Sequence, residues 1–301
     1  MNETFMKEKP VFPLMLSMAL PMVLSMMVSS LYNIVDSFFI AKISENAMTA
    51  LSLVFPMQNF INSVCIGFGI GINAVIAFFS GAGQKRTADR AASQGFFMSL
   101  VHGAVLTVLC IAVMPRFLRM FTGSAEIVSL GVRYSNIAFA FSLIISLGMT
   151  FEKIFQSVGR MQASMVSLMC GCVANIVLDP LFMFVLLPDG QEVLGAGLAT
   201  CLSNCVAFLF FAVVLVRMGR GAAVTFSPKA GMPRVESISA IFSVGVPSAI
   251  TTFLFDLDYV IIDKLMVAYD DLALAAVGIV LKVERFPLNV SIGICQGMMP
   301  L

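Results

Sequence analysis

The chain has 301 residues, 59% of them hydrophobic and only 12% charged, with a formal net charge of +1. Its mean hydropathy is +0.97. Soluble domains carry about 25% charged residues, so this composition excludes a water-soluble fold and defines a polytopic membrane protein. The near-neutral balance, and the lack of any basic run with interleaved aromatics, exclude a nucleic-acid partner.

Lys7 and Lys9 precede an apolar run of about 25 residues, too long for a signal-peptide core and followed by no small-x-small cleavage pattern. This run reads as a retained first transmembrane helix over 13–42. Seven more stretches reach the roughly 20 residues a span needs. They lie at 47–79, 94–115, 132–153, 162–187, 194–216, 239–267 and 272–301. The predicted fold class is therefore an all-α polytopic bundle of about eight transmembrane helices. Charged or Gly/Pro-rich turns separate them, as at Gly81–Arg90 and Leu187–Gly190. Arg217–Glu236 is the longest and reads as a linker between two bundles. The expected domains are a six-helix bundle over 1–216, a cytoplasmic linker over 217–236 and the start of a second bundle over 237–301.

Two spans carry carboxylates deep in apolar sequence. Tyr32 precedes Asp36 by four residues, and Asn175 precedes Asp179 by four. Side chains at i and i+4 share a helix face. A carboxylate at the bilayer centre costs at least ~2.5–3.5 kcal/mol on insertion scales and marks function by default. Two such polar stripes point to an ion or proton site inside the bundle. Burial and a like-charged neighbour both favour the protonated carboxyl, so proton loading is one use of the pair. Pro21 and Pro56 interrupt the first and second spans, and Pro180 follows Asp179. Each removes a backbone donor and permits a bend. Pro21 is the candidate moving hinge.

Lys and Arg set orientation. The N-terminus and the loops after spans two, four and six hold eleven, Lys153 and Arg160 among them, against five on the other side. The N-terminus is therefore expected in the cytoplasm. The chain also repeats itself. A gapless shift of 226 positions brings Pro21 onto Pro247, Ala47 onto Ala273, Phe60 onto Phe286, Gly67 onto Gly293 and Gly71 onto Gly297. Six helices lie between the copies, so both start on the same membrane side, a parallel repeat about an axis along the normal. Residue 301 then falls opposite residue 75 of the first copy. The expectation is a fragment of two six-helix repeats, lacking about four helices of the second.

The remaining features have plainer readings. The seven cysteines all fall in apolar stretches, and Cys170-x-Cys172 is not a zinc spacing. His102, the sole histidine, reads as packed or as a proton relay. Gly67-Phe-Gly-Ile-Gly71 sits in a membrane helix and follows no strand, so it is a close-approach stripe rather than a nucleotide loop. Asp256 and Asp258 point about 200° apart on a helix. At least one is a candidate substrate or second-ion residue.

With two six-helix repeats in view, the chain resembles the multidrug and toxic compound extrusion (MATE) family, most closely its DinF/MepA-like branch. The likeness is carried by Ala19-Leu-Pro21 running to Tyr32-Asn-Ile-Val-Asp36, by Asn175-Ile-Val-Leu-Asp-Pro180 followed by Gly195-Ala-Gly-Leu-Ala-Thr200, and by Gly245-Val-Pro247 with Gln296-Gly-Met-Met-Pro300. The resemblance implies a cation-coupled antiporter that exports organic cations and amphipathic drugs by alternating access. It implies an N-terminal site for H⁺ or Na⁺ at Asp36, Asn175, Asp179 and Thr200, with Tyr32 beside them and Pro21 as the bend. It further implies a monomer of a bacterial cytoplasmic membrane, multi-pass, with the bilayer and small amphipathic cations as its partners and no cofactor beyond the coupling ion. It implies no enzymatic activity. Two rivals stand beside it. A lipid-linked oligosaccharide flippase of the same superfamily would need cationic residues in its cavity, whereas Lys and Arg here sit almost entirely in loops. A polyprenyl transferase would need a second carboxylate cluster, for which Asp270-Asp271 is the sole candidate.

Overall fold

The computed structural model describes residues 8–40, 45–188, 190–218, 235–267 and 271–301. The side chains of some positions inside its helices, Asp36 and Asp271 among them, also lie outside the described set. Every described element is helical, as a bilayer requires of a chain that must satisfy its backbone internally. The helices are α1 (Val11–Ile40), α2 (Glu45–Gly81), α3 (Lys85–Phe121), α4 (Ala125–Ala140), α5 (Ser142–Ser157), α6 (Met161–Leu181), α7 (Glu192–Met218), α8 (Val235–Val267) and α9 (Asp271–Met298). A π-helical turn, Phe182–Leu186, extends α6. Among the described residues, six helices are long and apolar enough to cross a membrane, and the bent pair α4–α5 makes a seventh. The stretch read from sequence as an eighth span forms α9 but is not among these.

Two departures from the sequence expectation concern the fourth span. It is broken at Phe141, where α4 and α5 meet at 41°. The break falls at a residue that is neither Gly nor Pro, so no local breaker announced it. The span also runs further than expected, and Lys153 is no loop charge. It lies inside α5 with its side chain only 3% exposed. The Lys153 ammonium meets Glu152 Oε1 at 3.5 Å and donates to Gln156 Oε1 at 2.9 Å. Gln156 Nε2 closes the triangle by donating to Glu152 Oε1 at 2.7 Å. Lys153 thus satisfies inside the bundle the charge that the sequence reading placed in a cytoplasmic loop.

Glycine sets two of the turns. At the end of α5 the amide of Arg160 bonds to the Phe155 carbonyl and that of Gly159 to Gln156, both at 2.9 Å, with Gly159 at φ +73°. At the end of α2, Gln84 and Gly83 repeat the pattern on Phe79 and Ser80, with Gly83 at φ +74°. Both are Schellman closures, which need a left-handed residue that only glycine adopts at low cost.

The helices pack with α2 at the centre, touching α3, α4, α5 and α8. Val54, Ile61 and Cys65 of α2 are buried with Leu106, Cys110 and Met114 of α3 and Tyr134 and Phe139 of α4. Phe155 of α5 stacks on Phe211 of α7, and Phe151, buried in the same cluster, has its ring tilted against Phe208. α6 pairs with α7, and α1 packs on α6 and α9. Outward faces stay apolar, as with Val101, Val105 and Val108 of α3, which suits contact with lipid tails. His102 is packed within this frame. Its ring stacks on Phe68 at 4.6 Å, its Nδ1 is 3.0 Å from the Met98 carbonyl, and its Nε2 is 3.0 Å from Ser146 Oγ.

Candidate cation site

The site is assembled by α6 and α7. Pro180 has no amide hydrogen, so the Ile176 carbonyl loses its helical donor. The Phe182 amide bonds to both the Asp179 and Leu178 carbonyls, and the chain widens into the π-helical turn. Such bulges concentrate at functional positions. The widened turn fits only because α7 presents glycine there. A Cβ at Gly195 would lie 2.8 Å from the Phe182 carbonyl carbon and oxygen. Two residues on, toward the opposite side of α7, a Cβ at Gly197 would lie 3.0 Å from the Tyr134 ring. Tyr134 in turn accepts a bond from Gln58 Nε2 at 3.2 Å.

This packing brings three of the residues singled out in sequence together. Asn175 and Asp179 are buried, at 1% and 0% exposure. Asn175 Nδ2 donates to Asp179 Oδ1 and to Thr200 Oγ1, both at 3.4 Å. These are long bonds, so the groups are gathered but not tightly locked. Asn175 Oδ1 is buried with no hydrogen-bond partner among the described residues. A buried amide oxygen without a donor costs free energy, and here it sits beside a carboxylate and a hydroxyl. Oxygen donors of this kind suit a hard cation. The Thr200 backbone is itself held, because Ser203 Oγ and Asn204 Nδ2 donate to its carbonyl at 2.8 and 2.9 Å. Ser167 Oγ ties α6 to the Ala207 carbonyl of α7 at 2.9 Å.

Asn175 and Thr200 line a cavity of about 420 Å³, and Tyr32 of α1 lines it too. Asp36 is on α1 one turn beyond Tyr32, with its side chain outside the described residues. Pro21 is buried inside α1, which runs helical through it. Asp256 is half-buried and accepts from Ser63 Oγ of α2 at 3.1 Å, whereas Asp258 is exposed. Asp270 and the side chain of Asp271 lie outside the described residues. Among the described residues no three His, Cys, Asp or Glu side chains converge for a metal ion.

Sequence reasoning missed Glu152. It lines the same cavity, with Phe208 and Phe211 of α7 also in the wall. The stem of its partner Lys153 packs against α2, where a Cβ on Gly69 would lie 2.8 Å from Lys153 Cγ, and its ammonium stays within 3.5 Å of Glu152 Oε1. The signal was present in Phe151-Glu-Lys-Ile-Phe-Gln156, a charged dipeptide and an amide at helical spacing between phenylalanines. It was hidden because a Lys near a span end reads as a loop charge.

Comparison with known proteins gives the same class. The MatE family model matches residues 21–181. The chain belongs to the MatE family. It is 25% identical over 298 residues to the multidrug export protein MepA of Staphylococcus aureus (strain NCTC 8325 / PS 47), covering 99% of this chain and 65% of that protein. It is 26% identical over 298 residues, with the same coverage, to MepA of Staphylococcus haemolyticus (strain JCSC1435). The chain thus spans about 65% of the length of the curated relatives it matches. Among solved structures, a crystal structure of MATE in complex with MaD3S superimposes with a TM-score of 0.93 at 24% identity, covering 99% of this chain and 66% of that one. The outward-facing conformation of a multidrug resistance MATE family transporter of the MOP superfamily gives a TM-score of 0.87 at 26% identity, covering 94% and 62%.

Proposed function

We propose that the chain forms the cation-binding part of a multi-pass transporter of a bacterial cytoplasmic membrane that exports small amphipathic cations in exchange for H⁺ or Na⁺. The observation that carries this reading is the buried Asn175 and Asp179 with the half-buried Thr200, of which Asn175 and Thr200 line a cavity whose wall includes Tyr32 and Glu152. In this reading α1–α7 make a first bundle holding the coupling cation, joined to a second bundle by the segment after Met218. The coupling cation is held by Asp179, Asn175 and Thr200, with Asp36 completing the set from α1. Loading neutralises buried carboxylates, and Pro21 lets α1 bend in response. The organic cation meets Glu152 and the rings of Phe208 and Phe211, which suit it by charge and by cation–π attraction. A carboxylate lines the wall while Lys153, paired with it, does not line the cavity, and this disfavours the anionic pyrophosphate of a flippase substrate. The N-terminus lies in the cytoplasm, and the protein acts as a monomer.

The deciding experiment is ethidium efflux from vesicles holding the whole protein under an imposed Na⁺ or pH gradient. Asp179→Asn and Asp36→Asn should each abolish gradient-driven efflux at normal membrane levels. Near-normal efflux from either variant would remove that carboxylate from the coupling site.

A further inference from the structure

Two seams join α8 and α9 to the rest of the molecule. Along α2, Ser63, Gly67 and Gly71 share one face. Ser63 Oγ donates to Asp256 Oδ2 of α8 at 3.1 Å. Gly67 packs on Ala249, and Gly71 packs on Gly245 and the Ile241 carbonyl. Along α9, Asn289, Gly293 and Gly297 have the same spacing. Asn289 Nδ2 donates to Ser30 Oγ of α1 at 2.5 Å. Gly293 packs on Val23 and Gly297 on Ala19.

The 226-residue shift relates these seams contact by contact. It carries Ser63, Gly67 and Gly71 onto Asn289, Gly293 and Gly297. It also carries Ser30, Val23 and Ala19 onto Asp256, Ala249 and Gly245. Apart from the Gly71 contact with the Ile241 carbonyl, every contact named in one seam has its mate in the other, which is the signature of an isologous interface. The glycines let the backbones close, as small residues do between membrane helices. Each seam carries its hydrogen bond one turn before its first glycine. The two copies differ in one respect that bears on energy. The mate of Asp256 is Ser30, so one bond ends on a carboxylate and the other joins two neutral groups.

We propose that the seams form one duplicated latch between α1–α7 and α8–α9, and that Asp256 makes the latch depend on charge. A bond to an ionised acceptor is about twice as strong as a neutral one. Ser63 faces Asp256 from α2, and the Arg285 guanidinium acts on it from α9. Arg285 also stands 5.2 Å over the Tyr259 ring of α8. Asp256, Arg285 and Tyr259 thus tie α8 to α9. Neutralising Asp256 weakens the α2–α8 bond and, through the Arg285 contacts that tie α8 to α9, loosens the α1–α9 bond as well. The proposal rests on the reading that the two units move against each other. Its test uses no transport assay, so its failure is separate from failure of the coupling site.

The experiment is oxidative cross-linking of the whole protein in lipid vesicles, with the seven native cysteines replaced. One reporter is Ser63→Cys with Asp256→Cys, and the other is Ser30→Cys with Asn289→Cys. Both pairs should cross-link. Asp256→Asn keeps an acceptor oxygen but removes the charge, and it should slow cross-linking of the distant Ser30/Asn289 pair about fivefold, for a loss of roughly one net hydrogen bond. Ser63→Ala should do the same, and it decides the matter should Asp256→Asn fail to reach the membrane. Asp258→Asn, two residues away and exposed, should leave the rate unchanged. Cross-linking at one pair but never at the other, or an unchanged rate at the distant pair in both Asp256→Asn and Ser63→Ala, would overturn the latch.

Discussion

At the scale of single residues, the proposed cation site and the Glu152–Lys153 pair should respond differently to substitution. Thr200→Val keeps the shape and removes one oxygen from the set around Asn175. It should weaken the apparent affinity for the coupling cation about tenfold, equivalent to about 1.4 kcal/mol, without lowering stability by more than about 1 kcal/mol. Cation-dependent protection of the protein against thermal unfolding in detergent would measure both. Lys153→Met should be far more damaging. It leaves the Glu152 carboxylate without its ammonium, and breaking a buried ion pair from one side costs about 3–5 kcal/mol. Combining it with Glu152→Gln should recover most of that loss, since no charge is then stranded. If the double variant is as unstable as Lys153→Met alone, the pair is not the source of the cost. The legibility of these two clusters in sequence was unequal for a physical reason. Asn175 and Asp179 announce themselves because a carboxylate and an amide one helical turn apart in apolar sequence have few bland explanations. Glu152 and Lys153 sit near a span end, where pattern alone cannot tell a solvated loop charge from a compensated buried one.

Between residues and the whole lies the geometry of the elements. Pro180 was legible as a breaker, but the π-helical turn after it depends on Gly195 across the helix pair, a tertiary fact. Gly195→Leu should therefore act on the cation site without touching a ligand. The added side chain drives the Phe182 backbone away, an overpacking that costs about 1–3 kcal/mol. Cation affinity should fall at least about tenfold, read by the same thermal-protection measurement as for Thr200→Val. Unchanged affinity would show that the turn and the site are independent. Gly159→Ala tests a different device. Its left-handed φ of +73° closes α5, and an alanine there should destabilise the fold by about 1 kcal/mol with the cavity intact. The broken fourth span was illegible because Phe141 has no intrinsic reason to stop a helix. The α-helical periods on either side of it are continuous in sequence, and the bend comes from tertiary packing of both halves against α2, α3 and α7.

For the molecule as a whole, the parallel repeat was legible because it needs only identities at a fixed separation, and the close-packed seams along α2 and α9 follow its glycines. Orientation is open to direct measurement. The α2–α3 turn at 82–84 and the α3–α4 turn at 122–124 lie at opposite ends of α3. With the N-terminus in the cytoplasm, Lys85→Cys should react with a membrane-impermeant maleimide only from the cytoplasmic side, and Glu126→Cys only from outside. The reverse pattern would invert the topology and with it the direction of transport.

The bend at Phe141 has a consequence for how water enters the bilayer. Helices α4 and α5 have 16 residues each, about 24 Å at the usual rise, short of a hydrocarbon core about 30 Å thick. Neither can cross alone, so the join between them must sit at membrane depth. Backbone carbonyls freed there are tolerated only against protein or in a wetted space. Ala138, Phe139, Ser142 and Ile145, which flank the join, all line the cavity that Asn175 and Thr200 also line. The Ser142 hydroxyl is buried with no partner among the described residues. The kink therefore offers a hydration port, bringing water to the level where the proposed coupling cation would shed its own. Amides at 142–144 should exchange with solvent deuterium faster than those at 108–110 of the unbroken α3. Filling the port with Ser142→Leu should slow that exchange and cation entry together.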